Sequence, residues 1–180
     1  FASRVFEEAF ITAEEAEKEP DSVLSAALGE GEREVTIARL SVIRETVARM
    51  AGDADAAGAM DIENEQDDDD DDDDEGEKKD EDKLPLAEHP VGHRVIKRLI
   101  KSSPALGDLV LSSLEKADFD RWAKTNRSAF VLSSIAEYGS SSAKAKLKSL
   151  LNKVRASFEG QDEADGAMSA GTKVLFKLTT

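Results

Sequence analysis

The chain has 180 residues, with 24 Lys and Arg against 39 Asp and Glu, and a formal net charge of −15. It has no Cys, which excludes a disulfide scaffold, a thiolate zinc site and a cysteine nucleophile. No apolar run approaches the roughly 20 residues needed to span a bilayer.

The charge is unevenly placed. Residues 1–51 carry 6 basic and 11 acidic side chains, residues 52–83 carry 3 and 18, and residues 84–180 carry 15 and 10. Hydrophobic residues at 39% allow one domain or a piece of a larger one. A start at Phe1 with no signal peptide is expected of a fragment.

Helix signals dominate, and strand and hairpin signals are nearly absent. Phe1 to Phe10 reads as the end of a helix, with Val5, Phe6, Ala9 and Phe10 on one face. Thr12 with Glu15 has the form of a capping box that would start a second helix, and Pro20-Asp21-Ser22 would start a third. Val35 to Met50 sets Leu40, Ile43, Val47 and Met50 at helical spacing, and Gly52 ends it. Residues 52–83 include an unbroken Asp run, Asp67 to Asp74, with nothing to bury; an extended, disordered linker or interaction tail is expected.

After this acidic insert the pattern sharpens. Pro90 to Lys101 is one helix. Ser103 with Pro104 starts another, reaching about Lys116. Asp118 is expected to cap a short helix holding Phe119 and Trp122, with Trp122 in the core. Asn126 is expected to cap the next, which runs to Tyr138 and stops at Gly139. Ser140 to Ser142 begin a long helix with Leu147, Leu150, Leu151, Val154 and Phe158 as its buried stripe. A polar loop, Glu159 to Gly166, precedes a last helix ending near Leu178.

Three of these segments repeat one pattern: a small residue, two variable, two aliphatic, two variable, then one aliphatic. They are Gly92 to Leu99, Ser128 to Ile135 and Gly171 to Leu178; Ala2 to Ala9 is a plausible fourth copy. The first two start 36 residues apart and the next 43 apart. A repeat near that period in an all-α chain implies stacked helical units.

The pattern resembles the Pumilio-type (PUF) helical repeat. Ala87 to His93, Trp122 to Ser128, Leu132 to Ser134 and Gly171 to Thr179 look more specifically like the C-terminal CPL domain of the Penguin/Puf-A family. The likeness covers about residues 84–180. It implies a PUF-type solenoid, so the all-α chain is expected to comprise a partial repeat segment (1–51), the acidic insert read from its charge (52–83) and the C-terminal repeats (84–180). It implies a monomeric nuclear or nucleolar protein that binds RNA, rRNA or mRNA, or DNA, with little sequence preference. Roles in large-subunit ribosome assembly and in translational control follow from the same likeness; no enzymatic activity is expected, since no catalytic motif offers a residue for it.

In sequence-reading repeats of that type, three helix positions touch each base. Here they would be His93, Arg94 and Lys97; Ala129, Phe130 and Ser133; and Thr172, Lys173 and Phe176. Most lack the amide or carboxylate a base-edge code needs. Ser3, Arg4 and Glu7 would suit guanine, as an isolated match.

Charge takes the place of a code. Arg94, Lys97, Arg98 and Lys101 fall on one helical stripe, with Val91, Val95, Ile96 and Leu99 expected inward. Such a stripe calls for a counter-charge, either phosphate or the Asp run. Lys144 and Lys148 form a second pair, and with His93, Arg127, Phe130 and Lys173 they complete the candidate RNA-binding set. A protein-binding scaffold is the rival reading, with a basic ribosomal protein held by Asp67–Asp74.

No cofactor is expected. His89 and His93 are four apart, but Pro90 lies between them and no metalloprotease Glu accompanies them, so no metal site is assigned. Gly166 to Lys173 has Thr and Lys in the wrong order for a phosphate loop. No G-x-S-x-G occurs, and no catalytic residue is assigned.

Overall fold

A computed structural model describes residues 2–19, 30–53, 84–155, 158 and 168–179. The expected helix at Pro20, the Asp tract and the loop Glu159 to Gly166 lie outside them. Among the described residues all regular structure is helical and no strand occurs, so the chain is all-α. The elements are α1 (Ala2–Lys18), α2 (Glu30–Gly52), α3 (Gly92–Ser102), α4 (Pro104–Ser113), α5 (Lys116–Lys124), α6 (Asn126–Tyr138), α7 (Ser141–Val154) and α8 (Ala170–Thr179). None of these helices is long and apolar enough to cross a membrane.

The three helices that carry the repeated pattern follow one another as neighbours, α3 on α6 and α6 on α8; α1, whose expected copy leaves its fifth residue Phe6 exposed, packs on α3. The intervening helices make their own line, α2 on α4 and α4 on α7. Helix α6 lies at the centre, touching α3, α4, α5, α7 and α8. Seven of its residues are buried: Ser128, Ala129, Val131, Leu132, Ser133, Ser134 and Ile135. Of its buried serines, Ser133 and Ser134 turn their hydroxyls onto its own carbonyls, Ala129 at 2.9 Å and Phe130 at 3.0 Å, and Ser128 donates to the Trp122 carbonyl of α5 at 3.2 Å. They therefore enter the core without stranded polar atoms.

The core runs through Leu40, Ala51, Ile96, Leu99, Leu106, Leu111, Phe119, Trp122, Leu132, Ile135, Leu147 and Leu175. Fully burying each large aliphatic or aromatic side chain contributes about 1.5–3 kcal/mol, so the apolar stripes hold these short helices together. Trp122 is fully buried, as expected.

The glycine that opens two of the repeated segments has a steric cause. A Cβ on Gly92 would lie 2.5 Å from the Leu86 carbonyl oxygen, and one on Gly171 would lie 2.2 Å from that of Asn126. Chain passes too close there for any side chain. The small residue and the fifth residue are buried in α3, α6 and α8. The eighth is buried in α3 and α6 as Leu99 and Ile135, but in α8 it is Leu178, which is exposed.

Several local expectations are corrected. Helix α1 runs unbroken through Thr12, so Thr12 and Glu15 start nothing; the helix continues because Phe10, Glu14 and Ala16 all have partners to bury against. Its face is not the expected one, since Val5, Phe6 and Ala9 are exposed and only Phe10 of that set is buried. Val91 is also exposed, because α3 begins after it; Ile96, Leu99 and Ile100 face inward. Ser103 precedes α4, but its buried hydroxyl makes no capping bond, and α4 ends at Ser113. Glu115, not Asp118, precedes α5, and Asp118 lies in its first turn.

Thr125, not Asn126, precedes α6. Asn126 instead turns its Oδ1 to the Gly171 amide at 2.8 Å and so caps α8 from another helix. Ser140 does cap α7, accepting from Ala143 N at 3.0 Å. The segment before α3 is tied to the end of α2, with Leu86 N donating to Met50 O at 3.1 Å and Ala87 N to Ala51 O at 3.2 Å. Positions 51 and 87 are thus side by side, with the acidic stretch between them in sequence.

Candidate nucleic-acid interface

Two cations of α3 lie against α6. Lys97 Nζ sits 5.0 Å from the centre of the Phe130 ring, and Lys101 Nζ sits 5.5 Å from that of Tyr138. Arg94 is exposed beside them. These contacts place an ammonium on each aromatic face and hold two long side chains in position. Tyr138 was not anticipated as a neighbour of Lys101; its spacing to Phe130 on α6 gives no hint of what α3 brings opposite.

Arg98 belongs to the same stripe but already has a counter-charge. Its guanidinium bonds Glu7 of α1 at 2.7 Å, and the Glu7 side chain is 8% exposed against 65% for Arg98. The Arg98 pKa is raised by that bond and by the carboxylate's charge. The counter-charge that the stripe demands is therefore supplied in part by Glu7, 91 residues away in sequence. Arg4, Glu7, Ile11, Arg98 and Lys101 line an open cleft of about 590 Å³ between α1 and α3.

At the other end of α3 the two histidines are fixed to the backbone. His89 Nδ1 accepts from Val91 N at 3.2 Å and Gly92 N at 3.1 Å, capping the helix. His93 Nδ1 contacts the His89 carbonyl at 2.9 Å. Burial lowers the His93 pKa below the ordinary imidazole value; its bond to the His89 carbonyl opposes this, and the charges of Lys97, Arg94 and Arg127 add to the lowering. Arg127, half-buried, donates to the Glu88 carbonyl at 3.1 Å.

His93, Arg94, Lys97, Arg98, Lys101, Arg127 and Phe130 are thus brought together around α3 and α6. Lys144, Lys148 and Lys173 belong to another face. Lys144 donates to the Glu137 carbonyl at 2.9 Å at the C-terminal end of α6, and Lys148 lies one turn further along α7. Lys173 is exposed on α8.

Of the base-reading positions, Ala129 and Thr172 are buried at 0% and 1% exposure, and Ser133 at 5%. Thr172 Oγ1 is spent on the Ala123 carbonyl at 2.8 Å. None of the three presents a polar group to solvent. Phe130 is half-buried with its ring under Lys97, and Phe176 packs edge-on against Phe158 at 5.1 Å between centroids.

Comparison with protein-family models, curated proteins and solved structures yields no match to this chain.

Proposed function

We propose that this is an RNA-binding helical-repeat protein that contacts phosphates and shape rather than base sequence. The observation that carries this reading is the row of Arg94, Lys97, Arg98 and Lys101 on α3, with Lys97 and Lys101 seated on aromatic rings of α6. Single-stranded nucleic acid is bound by this combination of a cationic track and aromatic faces. A base that stacks on Phe130 would exchange with the Lys97 ammonium, which is then free to meet the adjoining phosphate.

The succession of repeat-bearing helices supports a PUF-type solenoid, and with it the Penguin/Puf-A resemblance of residues 84–180. On that resemblance the role is ribosome assembly in the nucleolus. The burial of Ala129, Ser133 and Thr172 favours this over a sequence-selective translational regulator.

The test is fluorescence anisotropy of the full 180-residue chain with several unrelated single- and double-stranded RNAs across a salt series. Sequence-indifferent affinity that falls steeply with salt is expected. The Arg94→Glu, Lys97→Glu double variant should flatten the slope of log K against log salt by about 0.7 per lost contact on a single strand. Unchanged affinity in a folded double variant sinks the reading.

A further inference from the structure

A second basic surface, on α7 and α8, has a different composition. Neither helix contains an Asp or Glu. Lys144 and Lys148 are one turn apart on α7 and exposed; Lys173 and Lys177 are one turn apart on α8 and exposed. Beside the α8 pair lies an aliphatic strip. Val174 is 38% exposed and Leu178 45%, although the equivalent fourth and eighth positions of α6, Val131 and Ile135, are fully buried.

Leu178 and Thr179 share a small open pocket of about 170 Å³ with Ala136, Lys144 and Lys148, room for one large side chain. The arrangement is an apolar line bordered by Lys173 and Lys177 along α8, with Lys144 and Lys148 beside Leu178. By helical spacing Val174 and Leu178 occupy one stripe of α8 and Lys173 and Lys177 the next; the α7 lysines share the Leu178 pocket.

We infer that this face docks an acidic amphipathic helix of a partner protein. A ligand for it must bring negative charge to the lysines and aliphatic side chains to the strip beside them. RNA supplies phosphates but leaves Val174 and Leu178 facing nothing apolar. A helix with Leu or Ile at i, i+3 or i+4 and i+7, and Asp or Glu on both borders, meets the strip and both lysine pairs at once. The apolar contacts supply burial, and the charges select the partner and fix its orientation. This surface is separate from the α3–α6 row, so the two can be tested apart.

The experiment uses the full chain and four fluorescent probes. One is an 18-residue amphipathic helix with Leu on one face and Glu on both borders. The others are a scrambled peptide of the same composition, an oligoaspartate of equal charge and a 16-nucleotide oligouridylate. Tightest binding of the amphipathic peptide is expected. The Val174→Ser, Leu178→Ser variant should weaken it about tenfold, the equivalent of 1.4 kcal/mol, while leaving oligoaspartate and oligouridylate unaffected. Lys173→Ala with Lys177→Ala, on exposed side chains, should weaken all three acidic peptides.

Equal affinity for the scrambled peptide or oligoaspartate overturns the proposal, because the apolar strip would then be irrelevant. Competition by oligouridylate for the same face makes it a phosphate surface instead. Sedimentation as a dimer that hides Leu178 assigns the strip to a second copy.

Discussion

Arg44 joins α2 to α1 through the most buried charge in the described structure, and its removal is predicted to cost far more than a surface contact. Its Nε lies 2.7 Å from Glu14 Oε1, with side-chain exposures of 11% and 1%, and a second nitrogen bonds Glu17. The Arg44 pKa is raised, chiefly by the hydrogen bond with Glu14 and further by Glu17, against the lowering effect of burial. Arg44→Met keeps the apolar stem but leaves the Glu14 carboxylate inside with only Lys18 Nζ at 3.8 Å, itself half-exposed. Stranding one member of a buried pair costs about 3–5 kcal/mol, and the residual attraction of Lys18 sets the expectation at the lower end, about 3 kcal/mol.

The Glu14→Leu, Arg44→Met double variant removes both charges and should return to within about 1 kcal/mol of the parent, since apolar replacement of a whole buried pair is near neutral. Glu17, at 32% side-chain exposure, loses a partner at little cost. Urea unfolding of the four proteins of this cycle, compared at equal m-value, gives the coupling directly. A loss below about 1 kcal/mol for Arg44→Met, or a double variant as unstable as the sum of the singles, would refute the reasoning. A loosened α1 would also release Arg98 from Glu7, so the single variant should bind RNA with a steeper salt dependence.

Two further outcomes follow from particular atoms. Gly171→Ala places a Cβ 2.2 Å from the Asn126 carbonyl and breaks the approach that lets Asn126 cap α8; overpacking of this kind costs about 1–3 kcal/mol, and α8 amides should lose hydrogen-exchange protection first. Undiminished protection there would show that α8 does not depend on the cap. His93 has a lowered pKa in the folded chain, so below the ordinary imidazole value of about 6.5 the unfolded chain binds more protons. Its contribution to stability is present above that pH and is lost as pH falls through the folded value, while Lys97, Arg94 and Arg127 nearby oppose protonation. Melting temperatures between pH 7.5 and 5 should fall, and His93→Gln should flatten the dependence; an identical slope in that variant would remove His93 as its source.

The helical class and the positions of α3, α6 and α7 were legible because they rest on local rules. Ser140 caps the helix it precedes, Gly139 ends the one before, and the stripe Leu147, Leu151 and Val154 is buried where its period puts it. The glycines at 92 and 171 were legible as part of a pattern; the chain that passes too close for a side chain, Leu86 in one case and Asn126 in the other, was not.

What depended on a distant segment was not legible. Asn126 has the form of a cap for its own helix and serves one 45 residues on. Thr12 and Glu15 have the form of a helix start, yet α1 passes through them because Arg44 and the core of α2 give its inner face something to bury. The candidate interface divides in the same way. That Arg94, Lys97, Arg98 and Lys101 share a stripe is a property of α-helical spacing. That Lys97 rests on Phe130, Arg98 is held by Glu7, and Lys144 and Lys148 flank Leu178 instead of joining them was decided by packing. Helical periodicity determines which side chains share a face; which helix, carboxylate or solvent lies opposite that face is set by contacts between residues far apart in the chain.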